Sequence, residues 1–113
     1  MTKSKYSAKI KGDFIHMVFF WLKNPNDENE RKIFKFLLTN FIDKNPQVEG
    51  FHIGEPAVTN RLVIDNSYTF SLVVTFPDLA THDAYQKDPS HLEFIEKGKV
   101  LWGKVLIYDS IHD

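Results

Sequence analysis

Phe14-Ile15-His16-Met17-Val18-Phe19-Phe20-Trp21-Leu22 is an apolar run broken only by His16, rich in aromatic and branched residues and closed by Lys23-Asn24-Pro25. It reads as a β-strand. Successive side chains of a strand point to opposite faces, so His16, Val18, Phe20 and Leu22 share one face and Ile15, Met17, Phe19 and Trp21 the other. Both faces are apolar, which places the strand between two layers. The architecture then turns on what supplies each layer.

Downstream, Asn24 or Asn26 can cap a helix whose first turn carries Asp27, Glu28 and Glu30. Its apolar stripe is Ile33, Phe34, Leu37, Leu38, Phe41 and Ile42, and Asn45-Pro46 ends it. Val48 to Ile53 is a short strand with Phe51 and Ile53 on one face, closed by Gly54 and Pro56. Ala57 to Ser67 is a long connection with the turn signal Asp65-Asn66-Ser67. Tyr68 to Phe76 alternates strongly: Tyr68, Phe70, Leu72, Val74 and Phe76 form an apolar face, and Thr69, Ser71, Val73 and Thr75 a half-polar one. Pro77-Asp78 opens a helical region that runs to about Trp102, and Lys104 to Ile111 is the last strand.

The order is βαββαβ, an α+β arrangement that folds as one antiparallel sheet with its helices on one face. The other face, carrying Ile15, Met17, Phe19, Trp21, Val73, Leu106 and Tyr108, is too apolar to stay bare. The expectation is a homodimer in which two such faces meet.

The helical region is interrupted at Tyr85-Gln86-Lys87-Asp88-Pro89-Ser90-His91-Leu92-Glu93-Phe94. Pro89 has no N–H and drives Asp88 out of helical angles, so one helix stops and another begins. Ser90 with Glu93 reads as a capping box that puts His91 in the first turn, where the helix dipole favours neutral imidazole. A neutral imidazole acts as a base near pH 7, and Tyr85 could orient it or share a substrate oxygen. The plainer alternative is a capped helix start with an exposed histidine and a packed tyrosine.

The chain has 113 residues, no cysteine, ten phenylalanines and a formal net charge of −1. These bound it to a polar segment over 1–13 and one domain over 14–113, without repeats or low-complexity stretches. Near-neutral charge argues against nucleic acid, and the lysines of the polar segment read as a solvated extension. No apolar run is long enough for a membrane span, and no signal peptide is visible, so a cytoplasmic protein is expected. His16 reads as a satisfied core histidine or as a polar pocket wall, His52 faces the dimer side or solvent, His82 the exposed side of its helix, and His112 the end of the chain. No pair of them has close ligand spacing, so neither a metal nor another cofactor is expected. Arg61, with Glu55 and Asp65 nearby, suggests an intersubunit salt bridge.

The strand Ile15-His16-Met17-Val18-Phe19-Phe20, the series Gly54-Glu55-Pro56, Thr59, Arg61, Asp65 and Ser67-Tyr68, then Tyr85, Pro89 and His91, and finally Val105-Leu106-Ile107-Tyr108-Asp109 together resemble the stress-responsive dimeric α/β barrel family, Dabb. The likeness runs from about Ile15 to Asp109. It implies a ferredoxin-like protomer and a dimeric α/β barrel. One branch similar to this chain, plant polyketide cyclases typified by olivetolic acid cyclase, uses a tyrosine and a histidine matching Tyr85 and His91. There the histidine takes a proton next to a carbonyl. Two further polar positions of that branch correspond here to Leu38 and Phe70, which would fill and dry the cavity.

The expected function is therefore binding of a small apolar carbonyl or phenolic ligand between sheet and helices, with Tyr85 and His91 available for acid–base chemistry. His16, Phe20, Phe34, Leu38, Phe70, Phe94 and Trp102 are the expected ligand-binding residues, and Phe51, Val105 and Ile107 should face the same space. A dimeric module without chemistry and a cofactor-independent monooxygenase-like enzyme are the alternatives.

Overall fold

In the computed structural model, which describes residues 10–112, β1 (Phe14–Leu22) lies inside a four-stranded antiparallel sheet. β3 (Phe70–Phe76) flanks it on one side and β4 (Trp102–Ile111) on the other, and β2 (Gly50–Gly54) pairs with β3, giving the order β2-β3-β1-β4. Residues 1–9 and Asp113, and with them most of the polar segment read from the sequence, lie outside the described residues. Burial alternates along β1 as its sequence requires: Phe14, His16, Val18, Phe20 and Leu22 are buried and the four between them half-buried.

Four strand limits differ from the sequence reading, one of them the end of β2, which lies at Gly54 and not Ile53. β2 starts at Gly50, β4 starts at Trp102, and β3 starts at Phe70 instead of Tyr68. Tyr68 precedes the ladder, so alternation does not govern it. Its ring packs on Phe19 at 5.0 Å and Trp21 at 6.5 Å, on the face opposite Phe70. Thr69 anchors this entry, its N–H donating to Phe20 O at 2.7 Å and its hydroxyl accepting from Leu22 N at 3.0 Å. Phe51 is opposite Val74 in the register but stays 57% exposed, because β2 is an edge strand.

α1 (Glu28–Lys44) is capped by Asp27, not Asn24 or Asn26; Asp27 Oδ1 accepts from Asn29 N and Glu30 N. An ionised carboxylate at this position also complements the helix dipole. The helix ends at Asn45 ahead of Pro46, and buries Phe34, Leu38, Phe41 and Ile42, while Ile33 falls outside the stripe and is exposed.

α2 (Leu79–Lys87) and α3 (Pro89–Gly98) share Asp88, which ends one helix and caps the next. The Ser90 N–H and hydroxyl donate to Asp88 Oδ2 at 3.0 and 2.5 Å, so the cap is Asp88 and the expected Ser90–Glu93 box does not form. Glu93 instead accepts from Lys97 one turn on, at 2.7 Å. A carboxylate beside Pro89 outcompetes a hydroxyl as acceptor for the first free N–H groups. At the far end of α3, a Cβ on Gly98 would come within 2.9 Å of Trp102 Cζ3; the absence of a side chain is what lets the indole lie against the helix.

The helices cover one sheet face. On the other, Ile15, Met17, Phe19, Trp21, Val73 and Leu106 are half-buried and Tyr108 is exposed.

Candidate functional site

α1 and the α2–α3 pair cover the same sheet face, and Phe41 of α1 and Leu72 of β3 help to enclose a space beside α2 and α3. Between them and β1 and β4 lies a cavity of about 140 Å³. A dry cavity of about 150 Å³ is known to take one benzene ring, so this one has the size of a single small aromatic compound. Its apolar wall includes Val18, Phe20, Phe94, Trp102, Val105 and Ile107; its polar groups are His16, Tyr85, Gln86 and His91.

Tyr85 and His91 approach each other across the break, ring centroids 5.4 Å apart, with Phe41 5.3 Å from Tyr85 and 5.5 Å from His91. Burial raises the Tyr85 phenol far above its ordinary value, and the charge of Asp109 adds to this. Tyr85 is thus a neutral hydroxyl at any physiological pH. His91 is lowered from its ordinary value, first by burial and then by the neighbouring His16, against a smaller opposing pull from the Gln86 backbone. Its Nδ1 is buried and has no hydrogen-bond partner among the described residues. A neutral imidazole with one buried ring nitrogen unused results.

His16 is buried and directly opposite Asp109 in the β1–β4 register, with Nδ1 2.5 Å from Asp109 Oδ1. The His16 pKa is lowered, chiefly by burial with His82 adding to it and Asp109 opposing, so the ring stays neutral and holds its proton toward the carboxylate. The third member of this group is His82. It is buried, stacked on Phe14 at 4.6 Å, with its ring 5.1 Å from that of His16, contrary to the exposed position read from the sequence. His82 precedes the inward-facing Tyr85 by three residues, so both lie on one helix face.

The site residues read from the sequence divide cleanly. His16, Phe20, Tyr85, His91, Phe94 and Trp102 line the cavity. Phe34, Leu38 and Phe70 do not; they are buried in the packed core under α1, Phe34 and Phe70 with centroids 5.7 Å apart. Leu38 and Phe70 fill the space on that side and thereby confine the cavity to the α2–α3 side. Three polar residues were missed: Gln86, which lines the cavity beside Tyr85, and His82 and Asp109, which had a signal, His82 through its spacing to Tyr85 and Asp109 through its parity with Val105 and Ile107 on β4. Although no pair of histidines has close ligand spacing in the sequence, the fold brings donor atoms of His16, His82 and Asp109 within 4.8 Å of one another. Glu55 pairs with Arg31, while Arg61 is exposed in the connection.

An antiparallel β2-β3-β1-β4 sheet with all helices on one face is the ferredoxin-like α+β fold, here with a cavity that combines an apolar wall and histidine and tyrosine side chains. Residues 14–112 match the Stress responsive A/B Barrel Domain, and the chain belongs to that family, Dabb. No curated protein matches the sequence. Among solved structures, the chain is similar to a Dabb family protein with a ferredoxin-like fold from Mesorhizobium loti, at 25% identity over 87% of this chain and 94% of that one, TM-score 0.72. It is also similar to a dimeric ferredoxin-like protein from Thermobifida fusca (14% identity, 98% and 99% covered, TM-score 0.70) and to a hydroxynitrile lyase from Passiflora edulis (20%, 88% and 93%, 0.71). The last two likenesses concern the fold alone. Among the described residues no helix is long and apolar enough to cross a membrane.

Proposed function

We propose that this chain is a homodimeric Dabb protein that binds one small, mostly apolar phenolic or carbonyl compound in the cavity of each protomer, with His91 accepting a proton from the ligand and the Tyr85 hydroxyl orienting its oxygen. The observation that carries this reading is the buried, unpartnered His91 Nδ1 beside an apolar space of single-ring size. A buried acceptor without a donor costs about 1–3 kcal/mol, and a ligand hydroxyl placed there recovers much of it. The apolar wall supplies affinity, and the few polar groups set orientation.

Chemistry follows from the same placement. His91 is neutral near pH 7 and can take a proton from a phenol, or from carbon next to a carbonyl, while neutral Tyr85 offers its O–H to the oxygen that gains charge. That a hydroxynitrile lyase is built on this fold supports its capacity to host acid–base steps. The homodimer is supported by the half-buried apolar sheet face and by the dimeric Thermobifida fusca neighbour.

Titration with phenol and with benzene, followed by Trp102 fluorescence or amide shifts, tests this. Phenol should bind more tightly than benzene in the unaltered protein, and His91→Leu should remove that preference, a loss of about tenfold for one hydrogen bond. Absence of phenol binding at millimolar concentration, or an unchanged preference in His91→Leu, would refute the reading.

A further inference from the structure

We propose that His16, His82 and Asp109 form a three-ligand site for a divalent transition-metal ion of the zinc class, beside the cavity and distinct from its Tyr85–His91 pair. One donor atom from each lies within 4.8 Å of the other two. His82 Nε2 is 4.0 Å from Asp109 Oδ2, and His16 Nδ1 is 2.5 Å from Asp109 Oδ1, a hydrogen bond whose proton a bound ion would displace. An ion bonded at about 2.0–2.2 Å to each would need only small side-chain rotations. Asp109 can make them, because its side chain is 38% exposed; the same exposure gives an ion its way in.

An independent observation is the state of His82. Its side chain is more than nine-tenths buried, yet among the described residues Nε2 has no hydrogen-bond partner, and it lies 4.0 Å from Asp109 Oδ2. Its other nitrogen, Nδ1, is 3.1 Å from Asp83 Oδ1. A carboxylate on Nδ1 holds the proton there and leaves the Nε2 lone pair free, which is the arrangement of a metal-ligating histidine and its supporting carboxylate. A purely structural histidine in this place would be expected to use both nitrogens.

Two imidazoles and one carboxylate form a donor set suited to zinc, cobalt, nickel or iron(II), and poorly suited to calcium or magnesium, which prefer oxygen. Three protein ligands also leave a coordination position for water or a ligand. His82 comes from the helix before the break and the other two from adjacent strands, so a bound ion would tie α2 to the sheet.

The test uses untagged, chelator-treated protein, titrated calorimetrically with zinc chloride and, in parallel, with cobalt chloride under visible absorption. The expected result is one ion per chain, with cobalt bands of a four- or five-coordinate site and a zinc-dependent rise in melting temperature. Asp109→Asn and His82→Gln should each weaken zinc binding by about a hundredfold, and Asp83→Asn by about tenfold. His52→Gln, altering an exposed imidazole on the opposite sheet face, should bind as the unaltered protein does. Asp109→Asn changes a part-exposed group and keeps the fold, so it carries the test even if His82→Gln does not. No stoichiometric binding of zinc or cobalt, or equal affinity in Asp109→Asn, would overturn the proposal. Phenol binding depends on His91, which is no ligand here, so either reading can fail without the other.

Discussion

Leu38→Ala separates core from cavity wall. Leu38 is fully buried on α1, within the cluster that contains Phe34, Phe41 and Phe70, and it does not border the cavity. The substitution removes the isopropyl end of a fully buried side chain in that cluster. At about 0.8 kcal/mol per buried methylene-sized group, transfer alone costs about 2–2.5 kcal/mol. A residual void adds about 24 cal/mol for each Å³ that the neighbours fail to reclaim; α1 rests on two rigid strands, so a void of about 40 Å³ would bring the total to roughly 3–3.5 kcal/mol. Urea denaturation at fixed protomer concentration, fitted with the same m-value for both proteins, measures this. Phenol affinity should change less than threefold. A loss below about 1 kcal/mol would mean that Leu38 already borders empty space. A large change in phenol affinity would return it to the binding site. Either result refutes the division between a packed α1 side and an open α2–α3 side.

Stability should fall as the pH is lowered below the ordinary histidine value. His16 and His91 both have lowered pKa values in the fold, chiefly through burial, so the unfolded chain takes up their protons first. Their contribution is whole above about pH 6.5 and declines as pH falls toward the folded values, with a slope of at most about 1.4 kcal/mol per pH unit for each histidine; urea titrations between pH 7.5 and 5 would show it, and a flat profile would contradict it. Gly98→Ala gains helix propensity of about 1 kcal/mol but forces a Cβ to 2.9 Å from Trp102 Cζ3, an overpacking cost of about 1–3 kcal/mol, so a small net loss and a shifted Trp102 emission are expected. Phe19→Glu, on the uncovered sheet face, should convert a two-chain species into a one-chain species in sedimentation at micromolar concentration; an unaltered protein that already sediments as one chain would remove the dimer. His91→Leu should raise the melting temperature while abolishing the phenol preference, because it deletes a buried unpartnered nitrogen; a marked fall would make His91 a structural residue.

The fold was legible because β1 is apolar at both parities, a pattern that only a strand between layers satisfies, and because Pro25, Pro46, Pro77 and Pro89 punctuate the elements around it. Tyr68 misled because it continues the alternation of β3 although its backbone has left the ladder; register, not pattern, decides such a residue. The cap of α3 misled because Asp88 and Ser90 are both good acceptors near Pro89, and only geometry ranks them. In the site, Tyr85, His91, Phe94 and Trp102 could be placed from their own helix and strand spacing. The convergence of His16, His82 and Asp109 depends instead on three distant segments, on the β1–β4 register and on where α2 crosses the sheet, and single-element periodicity does not contain that information.

The position of the polar groups has one structural cause. α1 is uninterrupted, and its face of Phe34, Leu38, Phe41 and Ile42 packs into the core, with Phe41 reaching the edge of the cavity. At Asp88-Pro89 the second helical layer changes direction, so α2 and α3 each present one short face and a space remains between them and β1 and β4. Among the described residues, two buried side-chain nitrogens lack partners, His82 Nε2 and His91 Nδ1, and they belong to the two helices on either side of that break. Each costs stability that a larger apolar side chain would not. Packing alone favours apolar side chains at both places, so the break and the unpartnered nitrogens belong together as the part of the fold on which the proposed binding rests.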